Sequence, residues 1–507
     1  MNTNRLTVLT LVLTLAGVAG AGAAGVRQPA VAGQFYPSDP VRLANAIDYY
    51  LEDAITPTAD KPVAIISPHA GYVYSGQIAA DAFKQAQGHD YDLVIIVGAN
   101  HTTGGFRDVS IYAGSGYQTP LGIVEIDEAF AAELTAADED FTFKPAVHER
   151  EHSVEVQIPF VQMLWPRAKI VTAIIGRPDL DLCRRFGKTL ADKIEDRNAL
   201  IVASTDFSHY PTHRDACEID RSTLETILSH DAEAFREATR DQLRDGPENL
   251  VTCACGAGPV MTALAASEAN DANGVQVISY ANSGDTAIGK HDRVVGYAAV
   301  SFSRGETTNR LEPFVAAPTG STAMREPSEA GKRALLDFAR KTIRQYLSSD
   351  TAPLARGFSP ELCADRGVFV TLKKQGALRG CIGHMTDDLP LCQVVGNCAL
   401  QAAFNDRRFP PLEPTELNDI DIEISILTPY LQVDSYRDIT LGRDGVMIEK
   451  NGRSAVFLPY VAVEQGWDRD EMLANLCRKA GLSEDAWEKN MSFYVFQAIE
   501  FGEPDFR

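Results

Sequence analysis

Four runs of Val, Ile, Leu and Ala stand out in the first half of the chain: VAIIS (63–67), LVIIVGA (93–99), KIVTAIIG (169–176) and ALIVAST (199–205). None alternates apolar with polar residues. A strand with one wet face alternates, whereas a strand covered on both faces reads as a continuous apolar run. Stretches with helical spacing of apolar residues lie between them, at Gly76–Gln87, Phe130–Ala136 and Leu180–Glu195. Strands alternating with helices predict an α/β domain with a largely parallel or mixed sheet.

The pattern changes after residue 303. The segment SRGETTNRLEPFVAAPTGSTAMREPSEA is rich in Pro, Ser and Thr and has no apolar period, so it reads as a linker over 304–330. Beyond it the order is a helix at Gly331–Leu347, the strand VFVTLKK (368–374), a Gly-rich turn and a helix at Leu391–Phe404. Alternating DIEISIL (421–427), VMIEKNGRSAVFL (446–458) and a helix at Arg469–Ala480 follow. Asn451-Gly452 between two apolar stretches is a hairpin signal. The expected arrangement is an α/β domain over 27–303 and an α+β domain over 331–507, with no internal repeat between them.

The first residues differ in kind. Arg5 precedes an uncharged, mostly apolar run from Leu6 to Ala19, and Ala21-Gly22-Ala23 fits a cleavage signal. Residues 1–25 therefore read as a signal peptide for export or, failing cleavage, an N-terminal anchor; a cytoplasmic location is the alternative. No Cys follows the apolar run, which argues against a lipoprotein, and no later segment reads as a membrane span.

Composition narrows the partners. With 47 basic and 69 acidic side chains in 507 residues the formal charge is −22. No basic run is present, so nucleic acid and anionic lipid are not expected partners. Nine cysteines at irregular spacings fit no disulfide framework, and Cys253-Ala254-Cys255 is too close for a zinc knuckle.

The polar exceptions collect just past the strands. VAIIS runs into Pro68-His69-Ala70-Gly71-Tyr72, LVIIVGA into Asn100-His101-Thr102, and ALIVAST into Asp206-Phe207-Ser208-His209-Tyr210. Carboxyl ends of parallel strands share one rim, where ligands bind. His69, His101, Asp206 and His209 are thus expected together, with further candidates in Glu151-His152-Ser153-Val154-Glu155 and Cys255-Gly256-Ala257-Gly258-Pro259. Two imidazoles plus a carboxylate or thiolate form an open metal site suited to iron, copper or zinc. The same residues also suit plainer roles: Asp206 a helix cap, Cys255 a small buried hydrophobe.

Taken together, VAGQFYPSDP, SPHAGYVYSG, GANHT, EHSVEVQIPF, STDFSHY and CGAGP resemble the Memo family, protein B of the AmmeMemoRadiSam system. The resemblance spans nearly all of 30–303. It implies a fold similar to the LigB-type class III extradiol dioxygenases, which hold non-haem iron on two His and one Glu. For Memo proteins it implies iron or copper on two His and a Cys, here His69, His101 and Cys255, with Asp206 and His209 as acid–base groups. Fe(II) is the expected cofactor, with copper as alternative, and a small molecule the expected substrate. Where some relatives are expected to carry a His before the Pro of the CG-x-x-P motif, Gly258 stands here.

LRGCIGH (378–384), AAFNDRRFPPL (402–412), DIEISIL and FLPYVAVEQGWD (457–468) resemble the AMMECR family, protein A of the same system, over about 331–503. Cys381 near Arg379 is a candidate nucleophile or redox group; the plain alternative is a packed Cys in a tight turn. The system's name implies a radical SAM partner. This chain has no CxxxCxxC motif, so that protein would be separately encoded. Three functions follow as expectations: a dioxygenase-like oxidoreductase, an iron- or copper-binding redox-control module, and an interaction scaffold.

Overall fold

In the computed structural model, which describes residues 25–58, 60–305 and 326–506, the four apolar runs become neighbouring parallel strands. They stand side by side in the order Pro62–Ser67, Ala199–Ser204, Leu93–Ala99 and Lys169–Ile175. Nearly every residue along them is buried whichever way it points, so both faces are covered. Helices Tyr72–Ala86 and Ala257–Ala269 pack on the sheet, and Leu180–Ile194 packs on Ala257–Ala269. That last crossing is close because residue 187 is glycine: a Cβ there would stand 2.6 Å from the Thr262 carbonyl oxygen.

The sheet is mixed rather than purely parallel. Gly274–Asn282 and Gly296–Ser303 add antiparallel strands at one edge, and Val109–Ile111 with Phe141–Thr142 extends the other. These strands are hard to read from apolar runs. A bulge between Val277 and Ser279 breaks the period, and Ser110, Ser301 and Ser303 are buried polar residues.

A short strand at the start, Val26–Arg27, pairs with Gly116–Thr119 in a small separate sheet. Arg27 is buried and forms an ion pair with Glu155, whose side chain is fully buried. Its other nitrogens donate to the carbonyls of His148 (3.1 Å) and Glu151 (2.7 Å). The Glu155 carboxylate also accepts from the Ala30 and Val31 amides and from the Tyr36 hydroxyl at 2.6 Å. The N-terminal strap is thereby fastened to the loop 151–155.

The second half has two antiparallel sheets. Ala377–His384, Val368–Lys374, Ile420–Leu427 and Ala498–Gly502 form one, covered by helices Glu329–Ser349 and Leu391–Phe404. Leu431–Val433, Ser492–Phe496, Gly445–Lys450 and Arg453–Phe457 form the other, with helix Arg469–Lys479. Asn451 and Gly452 both have positive φ, as a two-residue hairpin turn requires. One expectation is corrected. LRGCIGH is not a turn but a strand; the turn is Gln375-Gly376 before it. Its glycines serve close packing instead, since Cβ atoms at 380 and 383 would collide with the Ala402 carbonyl and the Phe369 ring.

The halves meet through helix Glu329–Ser349 lying on helix Pro40–Asp53, with a Lys341–Asp53 ion pair. Arg356 reaches fully buried Asp81 with both terminal nitrogens, at 2.6 and 3.1 Å. Among the described residues no helix is long and apolar enough to cross a membrane. The expected leader, but for Gly25, and 306–325 of the expected linker lie outside the described residues.

Removing one partner of a buried ion pair strands the other charge and costs about 3–5 kcal/mol. Arg27→Met is therefore expected to lower the urea midpoint of the first half by an amount corresponding to that cost. A midpoint within error of wild type would show that the strap is not held by Arg27.

Candidate metal centre

The register of the parallel strands decides which residues meet. Ser67 pairs with Ser204, and Ala99 lies level with Ile175, so the segments following these strands leave from one rim. His69 and His101 each sit two residues beyond a strand end. Cys255 comes from a different segment, just ahead of helix Ala257–Ala269. Its approach depends on Gly256, where a Cβ would lie 2.6 Å from Thr205 Cβ, and on a bond from the Cys255 amide to the Asp206 carbonyl at 3.2 Å.

His69, His101 and Cys255 do come together: their candidate ligand atoms all lie within 4.8 Å of one another. His69 Nε2 is 3.1 Å from Cys255 Sγ, and the His69 and His101 ring centres are 5.1 Å apart. His69 is buried and His101 is the exposed member of the group.

The surrounding bonds fix which nitrogen of each ring is available. Ser204 Oγ donates to the Ser153 carbonyl at 2.6 Å, so it can only accept from its other neighbours, Gln157 Nε2 and His69 Nδ1, both at 2.9 Å. The proton of neutral His69 therefore sits on Nδ1, and the Nε2 lone pair faces Cys255. On the other ring, His101 Nδ1 lies 2.9 Å from Glu151 Oε1. Glu151 is fully buried and also accepts from the amides of His101, His152 and Ser153 at 2.6–2.9 Å. Burial alone would raise its pKa, but the His101 hydrogen bond and the charges of His101 and His152 hold it at about 2. An ionised carboxylate only accepts, so His101 also carries its proton on Nδ1 and leaves Nε2 for a ligand.

Burial dominates the other titrations. It pushes His69 well below the ordinary imidazole range and His152 and His209 down to about 4, and it raises the Cys255 thiol. Burial lifts Asp206 to about 7 although the His69 and Ala70 amides donate to it at 2.7 and 3.2 Å. Asp206 thus shapes the loop that presents His69 rather than capping the next helix, whose cap is Thr212. Asp206, His209 and Cys255 form a second group within 4.8 Å, and His209 Nε2 is buried without a hydrogen-bond partner.

His152 joins the site more closely than its place in the sequence suggests. Its ring centre lies 4.6 Å from that of His101 and 5.3 Å from that of His69, and His101, Glu151 and His152 make a further donor group. The loop is admitted by Gly98, the sixth residue of its strand, where a Cβ would stand 2.7 Å from Val154 Cγ1 and collide with Ser153 Oγ. Gly258 packs against the side chain of Ile175, so a side chain at 258 would have to displace it.

Cys381 lies apart from all this, in the first sheet of the second half. Arg379 does not serve it: that guanidinium binds Glu416 at 2.8 and 3.1 Å. Cys381 is surrounded instead by Thr371, whose hydroxyl donates to Sγ at 3.2 Å, by Asp406 on its amide and by Arg408 on its carbonyl. His384 is engaged with Asp388 and Thr386.

The family model described as Memo-like protein matches residues 27–301, and the one described as AMMECR1 matches 336–501. A MEMO1 family protein of Caldivirga maquilingensis is 36% identical over 287 residues, covering 54% of this chain and 98% of its own length. One from Methanopyrus kandleri is 37% identical over 295 residues, covering 55% of this chain and 99% of its own. A crystal structure of an uncharacterized protein of Pyrococcus horikoshii aligns with TM-score 0.34 and 38% identity, over 35% of this chain and 93% of that one.

The titrations predict acid sensitivity of the metal-free protein. Below pH 6.5 the unfolded chain binds protons at His69, His148, His152 and His209; burial holds His69 well below that range in the folded chain, His148 down to about 3, and His152 and His209 down to about 4. The unfolded state then holds more protons, so stability falls as the pH falls through this window. Asp206 and Asp220, raised to about 7, and His101 and His213, also raised, oppose it, while His230 and His291, lowered by burial, add to the first four. The urea midpoint is expected to be lower at pH 5 than at pH 7, with a shallower decline in His209→Gln. A midpoint that rises on acidification would contradict this.

Proposed function

We propose that this chain, which belongs to the Memo family and carries an AMMECR1 domain behind its Memo domain, is a mononuclear non-haem metal protein with its ion on His69, His101 and Cys255. One observation carries the reading. Two imidazoles and a thiol converge within 4.8 Å, and neighbours that occupy Nδ1 of both rings leave each Nε2 for an ion. His69 Nε2 and Cys255 Sγ, 3.1 Å apart, are near enough to bind one ion between them.

Ferrous iron is the ion we propose first; three protein ligands leave positions open, through which it supplies Lewis acidity and redox chemistry toward dioxygen. The chain's own groups manage the protons. His209 presents a buried Nε2 without a hydrogen-bond partner, available to hydrogen-bond a substrate hydroxyl. Asp206 titrates near 7, where a group both gives and accepts protons efficiently. The reaction class is oxidation of a small chelating molecule, in the manner of an extradiol dioxygenase.

A second reading rests on Cys255. A thiolate favours Cu(I) over the harder iron of a carboxylate site, and Glu151 is engaged by His101 rather than available as a ligand. Tight copper binding without turnover would make the protein a redox-control module.

Metal analysis of anaerobically purified protein separates these. Iron near one equivalent, lost in His69→Ala and Cys255→Ala and accompanied by iron-dependent oxygen uptake, is the expected result. Glu151→Gln, which leaves every proposed ligand in place, is expected to weaken metal binding about 10–100-fold. Copper without oxygen uptake would favour the second reading, and no metal after reconstitution would overturn both.

A further inference from the structure

We infer that the junction between the halves holds a second divalent transition-metal site, built from His213, Asp285 and His291. Their candidate ligand atoms lie within 4.8 Å of one another, and none of the three belongs to the centre described above. Two imidazoles and one carboxylate, with positions to spare, are a donor set for zinc or ferrous iron.

The cluster is held together before any ion arrives. The His213 amide donates to the His291 carbonyl at 2.8 Å, and the two rings stack with centres 4.1 Å apart. Asp285 Oδ2 accepts from the Asn282 amide at 2.7 Å, which turns Oδ1 toward His213 Nε2, also at 2.7 Å. Gly284 lets this turn reach the rings: a Cβ there would lie 2.9 Å from His291 Cδ2 and 3.1 Å from His213 Cδ2. An ion pair between His213 and Asp285 would account for those two residues. It does not account for His291, whose Nε2 is buried and has no hydrogen-bond partner.

The setting supplies the remaining requirements. All three donors line a cavity of about 310 Å³ between the halves, walled on the far side by Pro390, Cys392 and Gln393. The second half also grips the turn that carries Asp285. Gln393 donates to the carbonyls of Gly284 and Thr286, and Asn397 to that of Ala287 at 2.6 Å. Outer groups that orient a ligand typically change metal affinity 10–100-fold, so the ion's affinity depends on the docking of the AMMECR1 domain.

Cobalt titration of the chelator-stripped full chain tests this. Co(II) on Cys255 gives a thiolate charge-transfer band; the junction trio contains no thiolate, and Cys217, whose Sγ lies 4.0 Å from His213 Nδ1, is replaced by Ser in every protein tested so that the sites are read separately. His69→Ala/Cys255→Ala protein is expected to bind one equivalent without that band. Adding His291→Ala should remove the equivalent, and adding Gln393→Ala instead should weaken it by about tenfold, with circular dichroism checking that each variant is folded. The inference is overturned if the double variant binds no cobalt, or if His291→Ala and Asp285→Asn leave its stoichiometry unchanged. Absence of the thiolate band in the Cys217→Ser parent would count against the Cys255 centre alone.

Discussion

A carboxylate withdrawn from water must be surrounded by donors or it costs several kcal/mol, and Glu151 meets that demand with the backbone of its own loop and the imidazole of another. The side chain has no exposure and accepts three amide bonds besides the His101 ring. Each bond that satisfies the charge also fixes something the site needs: the start of the 101 loop, the tautomer of His101, the turn at His152. From the other side Arg27 holds the Glu151 carbonyl, and Ser153 reaches Ala99 through its hydroxyl and Ser204 through its carbonyl. These bonds thus tie two strand ends and the N-terminal strap to one point.

Much of this was legible in the sequence, for a physical reason. Strands buried on both faces have no freedom to alternate, so LVIIVGA and ALIVAST marked the sheet, and polar residues immediately after them marked its rim. His69, His101 and Cys255 were reached in that way together with the Memo resemblance. Ser204 was concealed because it closes an apolar run and looks like part of it. His152 and Glu151 follow no strand; they precede the short 3-10 turn Glu155–Gln157, where no periodicity exists to show which way a side chain faces. LRGCIGH misled in the opposite sense, since its glycines make room for a helix backbone and an aromatic ring, and room-making is invisible without the neighbours.

The main hydrophobic cores of the two halves are separate, bridged by a small cluster of Ala287, Ala352 and Leu400, and polar groups are also committed across the boundary. Asp81 is fully buried in the first half and accepts from Ile55 and Ser279 there, but its cation, Arg356, comes from the segment after the linker. Among the described residues, the ion-pair partner of this first-half carboxylate is supplied by the second half. A boundary drawn by apolar cores alone would miss that dependence, and it gives the fused arrangement a physical consequence beyond proximity.

Gly98 shows where such a structure is most easily broken. It offers no lone pair, no charge and no hydrogen-bonding side chain, and it lies inside a strand where a small side chain would ordinarily be tolerated. Yet the loop bearing Glu151 rests against the space where its Cβ would be. One added methyl group would push that loop outward and spread donors that converge within 4.8 Å. A mutational survey confined to His, Cys, Asp and Glu would therefore pass over a position from which the whole constellation can be dismantled with every donor still present.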